Sequence, residues 1–151
     1  LFFKGVGGLM PVAVLMVLAF SLGATCKTLG TGTFIASQAE EILNPAWVPA
    51  LAFLVSALAA FSTGTSFGTF AIMIPIFVPM ALQLDAHLSA SIAAVLGGGV
   101  FGDHCSPISD TTIISSMASA SDHIDHVRTQ LPYALLAGAA AAILFALTGL
   151  L

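Results

Sequence analysis

Long apolar runs alternate with short polar, glycine-bearing stretches along this chain. Residues 9–25 form the first run, which at about 1.5 Å per residue is just long enough to cross a hydrocarbon core of about 30 Å. A glycine- and threonine-rich stretch follows, and the pattern predicts a short helix within residues 28–43. Residues 131–151 form a final apolar run whose small residues recur every fourth position, as in closely packed membrane helices. The pattern predicts an all-α polytopic membrane protein.

Residues 49–84 depart from this simple alternation, because two apolar arms flank a tip rich in serine and threonine at 62–69. The first arm, 49–61, has 13 residues. As a helix it would reach only about 20 Å, which is short of the membrane core. The pattern predicts a re-entrant hairpin, which requires backbone that is buried in protein or lines a wet cavity. The alternative is two strongly tilted spans joined by a loop outside the membrane.

Residues 88–120 contain a second interruption. The apolar flanks 88–101 and 113–120 are each too short to span alone, and together they make one span. Because the polar stretch between them contains Pro107, the pattern predicts a discontinuous transmembrane helix. The alternative is an external loop with solvated acids. The polar run 121–130 is expected to be an exposed or interfacial loop, and its aspartates and histidines are interpreted as solvated rather than as a metal cluster.

Composition agrees with a lipid environment. Of 151 residues, 58% are hydrophobic and only 7% are charged, with a mean hydropathy of +1.08, whereas soluble domains carry about a quarter charged residues. Three basic residues are too few for a nucleic-acid interface. The two cysteines have no CxxC spacing, and no signal peptide is visible. Since the chain begins at Leu1 and is apolar at both ends, we interpret it as a fragment of a longer protein.

Two aspartates in the interrupted segment are the strongest candidates for chemistry. A carboxylate at the bilayer centre costs about 2.5–3.5 kcal/mol, so that it requires a compensating partner. Oxygen ligands suit a hard cation, and the ends of a broken helix offer further polar backbone groups. Burial favours the uncharged form of a carboxyl group, which allows it to exchange a cation for a proton. The candidate ion ligands are Asp103, Asp110, Thr63, Thr65, Ser66, Ser106, Ser109 and Thr111.

Other polar residues nearby have competing interpretations. His104 could relay protons, orient the adjacent acid, or bond to backbone at the break. The hydroxyl groups at the hairpin tip could complete the ion site or satisfy their own backbone. Cys105 is expected to be a small packing residue rather than a ligand. No metal site other than that of transported Na+ is expected.

Residues 101–112, FGDHCSPISDTT, resemble the NhaC family of bacterial sodium/proton antiporters, and blocks 26–33, 62–75 and 122–133 are similar to it as well. The resemblance implies that residues 1–151 are the C-terminal half of a multi-pass transporter in the bacterial cytoplasmic membrane. It also implies an inverted-repeat fold in which each half pairs a re-entrant hairpin with a broken helix. The missing N-terminal half would supply the partner repeat.

The function expected from this resemblance is secondary active Na+/H+ antiport, with no enzymatic activity and no cofactor beyond the transported ions. The expected partners are the lipid bilayer, a small cation and the missing half, and a homodimer is left open. One alternative is Na+- or H+-coupled exchange of organic acids such as malate and lactate, which the family also includes. A remote alternative is an intramembrane aspartyl protease, but Val100-Phe101-Gly102-Asp103 does not match its Gly-x-Gly-Asp pattern.

Overall fold

A computed structural model describes residues 14, 17–39 and 43–150. The beginning of the predicted first span, part of the predicted short helix and the last residue lie outside the described residues. Residues 17–28 are helical and are labelled α1. The further elements are α2 (Thr31–Ala39), a 3₁₀ turn (Pro45–Trp47), α3 (Val48–Thr63), α4 (Ser66–Gln83), α5 (Leu88–Cys105), α6 (Asp110–Ala118) and α7 (His123–Thr148). The described ranges contain no strand, which confirms the all-helical fold.

Three helical segments are long and apolar enough to cross a membrane. They are Pro45–Thr63, Ser66–Gln83 and His123–Thr148, with 19, 18 and 26 residues. Large apolar side chains are exposed along them, as expected of helices that contact lipid. The described part of the chain is therefore a helical membrane protein.

Helices α3 and α5 pack with their backbones in close contact. A Cβ atom on Gly98 would lie 2.2 Å from the carbonyl oxygen of Phe53, and one on Gly102 would lie 2.0 Å from that of Ala57. These glycines are four residues apart, the spacing by which small residues let membrane helices approach closely. The rings of Phe53 and Phe101 stack beside this contact, with centroids 5.7 Å apart. The packing places the polar end of α5 beside the end of α3.

The first hairpin arm is longer than the apolar run indicated. Helix α3 has 16 residues and continues through Ser62 and Thr63, whose hydroxyl groups donate to carbonyl oxygens one turn earlier, at 2.8 Å in both cases. Those bonds satisfy the polar side chains inside a helix. Gly64 and Thr65 then connect α3 to α4. The expected length of 13 residues for the first arm was therefore wrong, because α3 has 16. At this length, the helix alone does not distinguish an arm that turns back inside the membrane from one that crosses it. The re-entrant hairpin remains a prediction.

The interrupted helix consists of α5 and α6, with a break at residues 106–109. The break includes Pro107, which has no N–H to donate to a continuing helix. It is shorter than the polar stretch in the sequence, because residues 102–105 remain in α5 and residues 110–112 already belong to α6. As a result, Asp103 lies on the last turn of α5 and Asp110 is the first residue of α6.

The expected loop at 121–130 was wrong for most of its length, because α7 begins at His123. The carboxylate of Asp122 accepts hydrogen bonds from the backbone N–H groups of Ile124 and Asp125, at 2.9 and 3.1 Å. This is the arrangement of a helix N-cap, which stabilises the first turn. The polar residues of this run therefore form the first two turns of a long helix, and they pack beside α6 and α5.

Candidate ion-binding site

The carboxylate of Asp103 is buried, with 5% of the residue exposed, and it is held by two hydroxyl groups. Ser109 Oγ donates to Oδ1 at 2.7 Å, and Thr111 Oγ1 donates to Oδ2 at 3.2 Å. The break in the helix makes these two hydrogen bonds possible. It brings Ser109 and Thr111, which follow Asp103 by six and eight residues, back to the end of α5. Neither donor carries a charge that could balance the carboxylate.

The side chains of Asp103, Ser109 and Thr111 form a closed triangle of hydrogen-bonding groups, because Ser109 Oγ and Thr111 Oγ1 also lie 2.8 Å apart. Two hydroxyl hydrogens therefore serve three short oxygen–oxygen contacts when Asp103 is ionised. A proton on the carboxyl group would supply a third hydrogen. A cation would instead supply a positive charge that several oxygens can share. The triangle thus suits either species.

Asp110 lies in a different position. Asp110 is exposed in this chain, and it lines a cavity of about 520 Å³ next to the hairpin tip. The remaining lining residues come from α1, α3, α4, the α3–α4 link and the break; they are Leu18, Ala19, Leu22, Ala59, Thr63, Gly64, Thr65, Gly68, Thr69, Ile72, Met73 and Ile108. The cavity is mainly apolar, with its carboxylate and hydroxyl groups at the tip and the break.

The hairpin tip and the helix break touch each other directly. Gly64 has a left-handed backbone with φ of +67°, and a Cβ there would lie 2.8 Å from the carbonyl oxygen of Ile108. Ser106 Oγ donates to the carbonyl oxygen of Phe61 at 2.7 Å and accepts from the backbone N–H of Ile108 at 3.3 Å. Glycine is needed at position 64 for both its backbone conformation and this approach. The two polar segments of the sequence therefore meet in space.

Some of the predicted ion ligands at the hairpin tip make hydrogen bonds to nearby backbone. Thr63 Oγ1 donates to the carbonyl oxygen of Ala59 at 2.8 Å, and Thr65 Oγ1 accepts from the backbone N–H of Gly68 at 3.4 Å. Both residues still line the cavity, whereas Ser66 is not among its lining residues. Ser106 bridges helices rather than facing the carboxylates. Their roles as ion ligands remain predictions.

The side chain of His104 is not hydrogen-bonded to Asp103, Ser109 or Thr111. It is exposed and lines a separate cavity of about 730 Å³, which is otherwise surrounded by apolar residues of α3, α5 and α7. Its role as a proton relay remains a prediction. Cys105 is buried as a free thiol. No group of three or more His, Cys, Asp or Glu side chains that could hold a metal ion occurs among the residues that the structure covers.

Two residues of α7 that were not predicted as functional contact the break and the end of α5. His123 Nε2 lies 2.6 Å from the carbonyl oxygen of Pro107, and Gln130 Nε2 donates to that of His104. Both had been assigned to a loop. Their spacing of seven residues, two helical turns, places them on one face of α7. Recognising Asp122 as an N-cap would have revealed this face.

An all-helical membrane protein with a discontinuous helix, carboxylates at both ends of the break and a polar hairpin tip beside it has the features of a secondary transporter. The comparisons with known proteins agree. The family described as the Na+/H+ antiporter family matches residues 1–150, and the chain belongs to this NhaC-type antiporter family. Its family members are transporters rather than enzymes.

Three relatives illustrate the range of this family. An uncharacterised protein of Haemophilus influenzae is 38% identical over 96% of this chain and 28% of its own length. The malate-2H(+)/Na(+)-lactate antiporter of Bacillus subtilis is 30% identical over 94% of this chain and 30% of its own length. The Na(+)/H(+) antiporter NhaC of Alkalihalophilus pseudofirmus is 29% identical over 80% of this chain and 26% of its own length.

The chain thus spans about a quarter to a third of the length of these relatives. No solved structure matches the chain.

Proposed function

We propose that this chain contributes the ion-coupling site of a Na+/H+ antiporter in the bacterial cytoplasmic membrane. The observation that carries the proposal is the buried carboxylate of Asp103, which accepts hydrogen bonds from the neutral hydroxyl groups of Ser109 and Thr111. An ionised acid in this environment is costly unless a cation or a proton neutralises it. Competition between the two for one carboxylate couples the flow of one to the reverse flow of the other.

The two aspartates would have different roles. Asp110 lines the cavity beside the hairpin tip, where its charge would attract a cation from solution. Asp103 would then bind the dehydrated ion together with the hydroxyl oxygens of Ser109 and Thr111. Movement of the hairpin and the broken helix relative to the rest of the transporter would alternate access to the site.

The test is Na+-induced proton release in everted membrane vesicles that contain the full-length protein. Vesicles are acidified by respiration, NaCl is added, and recovery of the fluorescence of a pH-sensitive dye reports exchange. We expect Asp103→Asn to abolish this recovery, because an amide can neither release a proton nor offer a charged oxygen to Na+. We expect Asp110→Asn to lower it strongly.

The matched control is Asp85→Asn. Asp85 is exposed at the turn between α4 and α5, and its φ of +54° is a conformation that asparagine tolerates well. It should exchange ions like the parent protein at equal amounts in the membrane. Normal exchange in both Asp103→Asn and Asp110→Asn would show that the proposal is wrong.

A second candidate is coupled exchange of a small organic acid, and the size of the cavity favours it. A volume of about 520 Å³ far exceeds a single Na+ and falls within the range of small-molecule sites. One relative is named as a malate/lactate antiporter. The carboxylate of Asp110 would repel an organic anion, unless a bound cation lies between them. This charge is why Na+/H+ antiport is the first candidate.

The two candidates differ in what inhibits transport. Malate or lactate should leave Na+-induced proton release unchanged if the protein exchanges only cations. Uptake of radiolabelled lactate or malate driven by a Na+ gradient, together with its loss in Asp103→Asn, would favour the second candidate. No uptake of either acid under a Na+ gradient would exclude it for these substrates.

A further inference from the structure

The break between α5 and α6 leaves backbone carbonyl groups without the partners that a continuous helix would give them. His104 is in the last turn of α5, where a carbonyl has no intrahelical donor, and Pro107 lies within the break itself. The carbonyl of His104 accepts one long hydrogen bond from Thr112 Oγ1 on α6, at 3.5 Å. Because a poorly satisfied carbonyl is costly in an apolar environment, a closer donor from another helix stabilises each of these two groups.

Helix α7 supplies both donors. His123 Nε2 lies 2.6 Å from the carbonyl oxygen of Pro107, and its other ring nitrogen, Nδ1, lies 3.2 Å from Ser116 Oγ on α6. Gln130 Nε2, two turns further along α7, donates to the carbonyl oxygen of His104 on α5. One face of α7 therefore contacts the end of α5, the break and α6. Asp103 lies on the first of these segments and Asp110 on the last.

We propose that His123 and Gln130 are positioning residues, which hold the helix break in the geometry that places Asp103 and Asp110. Neither touches the carboxylates, and each acts through a backbone carbonyl at the break. The donor contact of His123 needs only a hydrogen on Nε2, which one neutral tautomer and the protonated ring both provide. The expected effect of these residues on Na+ affinity rests on the proposed function. Their expected effect on the stability of the break does not.

The first measurement tests the break independently of the transported ion. Hydrogen exchange of backbone amides in residues 104–113, followed by mass spectrometry of the full-length protein in lipid nanodiscs, reports how often the break opens. Gln130→Glu keeps the side-chain size but removes the donor, and His123→Phe keeps a ring without nitrogen. Gln130→Glu loses the amide donor to the His104 carbonyl, and His123→Phe loses the contacts with both the Pro107 carbonyl and Ser116. Since one net hydrogen bond is worth about 0.5–1.5 kcal/mol, we expect this segment to exchange at least about 2- to 12-fold faster.

The second measurement is the Na+ concentration that gives half-maximal proton release in everted vesicles. Because the aspartates lose their fixed positions, we expect it to rise by about 2- to 12-fold in Gln130→Glu and His123→Phe. His123→Gln retains an amide donor that can reach the Pro107 carbonyl. We expect its half-maximal Na+ concentration to lie within about twofold of the parent value. A side chain that only filled space would not show this recovery.

The matched control is Gln83→Glu, which makes the same replacement as Gln130→Glu on an exposed side chain at the last position of α4. It should leave both amide exchange at the break and the Na+ dependence unchanged. Faster amide exchange with no effect on transport would overturn the positioning role. Unchanged amide exchange in both Gln130→Glu and His123→Phe would overturn the proposal outright. Absence of Na+/H+ exchange in the parent protein would instead overturn the proposed function, and the amide measurement would then still decide whether α7 holds the break.

Discussion

The hairpin tip and the helix break are both short, polar interruptions between apolar helices, but their hydroxyl groups are used differently. At the tip, the side chains of Thr63, Thr65 and Thr69 bond to backbone within one helical turn. At the break, Ser106 bonds to α3, and Ser109 bonds to the carboxylate of Asp103 six residues away. The tip is therefore stabilised locally, whereas the break depends on contacts that span separate elements.

This difference shows how similar compositions produce different structures. A tip whose polar groups are satisfied locally can keep its shape while it moves as a unit. A break whose polar groups are satisfied by other helices changes whenever those helices move. An ion that binds the carboxylate at the break is thus well placed to sense, and to drive, rearrangement of the surrounding helices.

The largest effect on this comparison should come from Gly64, where the two interruptions meet. Gly64→Ala places a Cβ 2.8 Å from the carbonyl oxygen of Ile108 on a backbone with positive φ. We expect a cost of about 2–4 kcal/mol from strain and overpacking, seen as a lower melting temperature of the full-length protein in detergent.

The control is Gly30→Ala, which has a similar φ of +66° but has only the Thr33 hydroxyl nearby, at 3.0 Å. It should cost about 1 kcal/mol from the backbone alone. Equal melting temperatures for the two variants would show that the tip does not press against the break.

The next effect separates the hydroxyl groups of the two interruptions. Ser109→Ala removes a hydrogen bond to a charged group, worth about 1.5–3 kcal/mol, so that Na+ should bind about tenfold or more weakly. Thr63→Ala removes only a bond to a carbonyl oxygen of its own helix, and we expect a change within about twofold. The measurement is the Na+ dependence of proton release in vesicles. A larger effect at Thr63 than at Ser109 would place the ion at the tip.

The smallest effect concerns the link between α3 and the break. Ser106→Ala removes the 2.7 Å bond to the carbonyl oxygen of Phe61 and should destabilise the protein by about 1 kcal/mol. Ser62→Ala removes a bond of 2.8 Å within α3, to Leu58, and should cost less because that side chain is exposed. Thermal unfolding in detergent measures both, and an equal loss would mean that the link contributes nothing beyond local bonding.

Much of this architecture could be predicted from local patterns. The apolar runs predicted the helical membrane class, and Pro107 located the interruption, because proline acts on its own backbone. The boundaries were less predictable. Polarity assigned residues 102–105 to the helix break and residues 121–130 to a loop. Most of them are helical, since their polar side chains find partners on neighbouring segments or act as caps.

By itself, the sequence determined that this chain lies in a membrane, where its helices are interrupted and which acids are available to an ion. Those properties follow from hydrophobicity, proline geometry and the cost of charge in lipid, all of which are local. Only the tertiary structure decided that Asp103 is held by hydroxyl groups, that Asp110 faces a cavity, and that α7 contacts the break. Such contacts join residues on separate helical segments, and the distance between them depends on how the backbones pack.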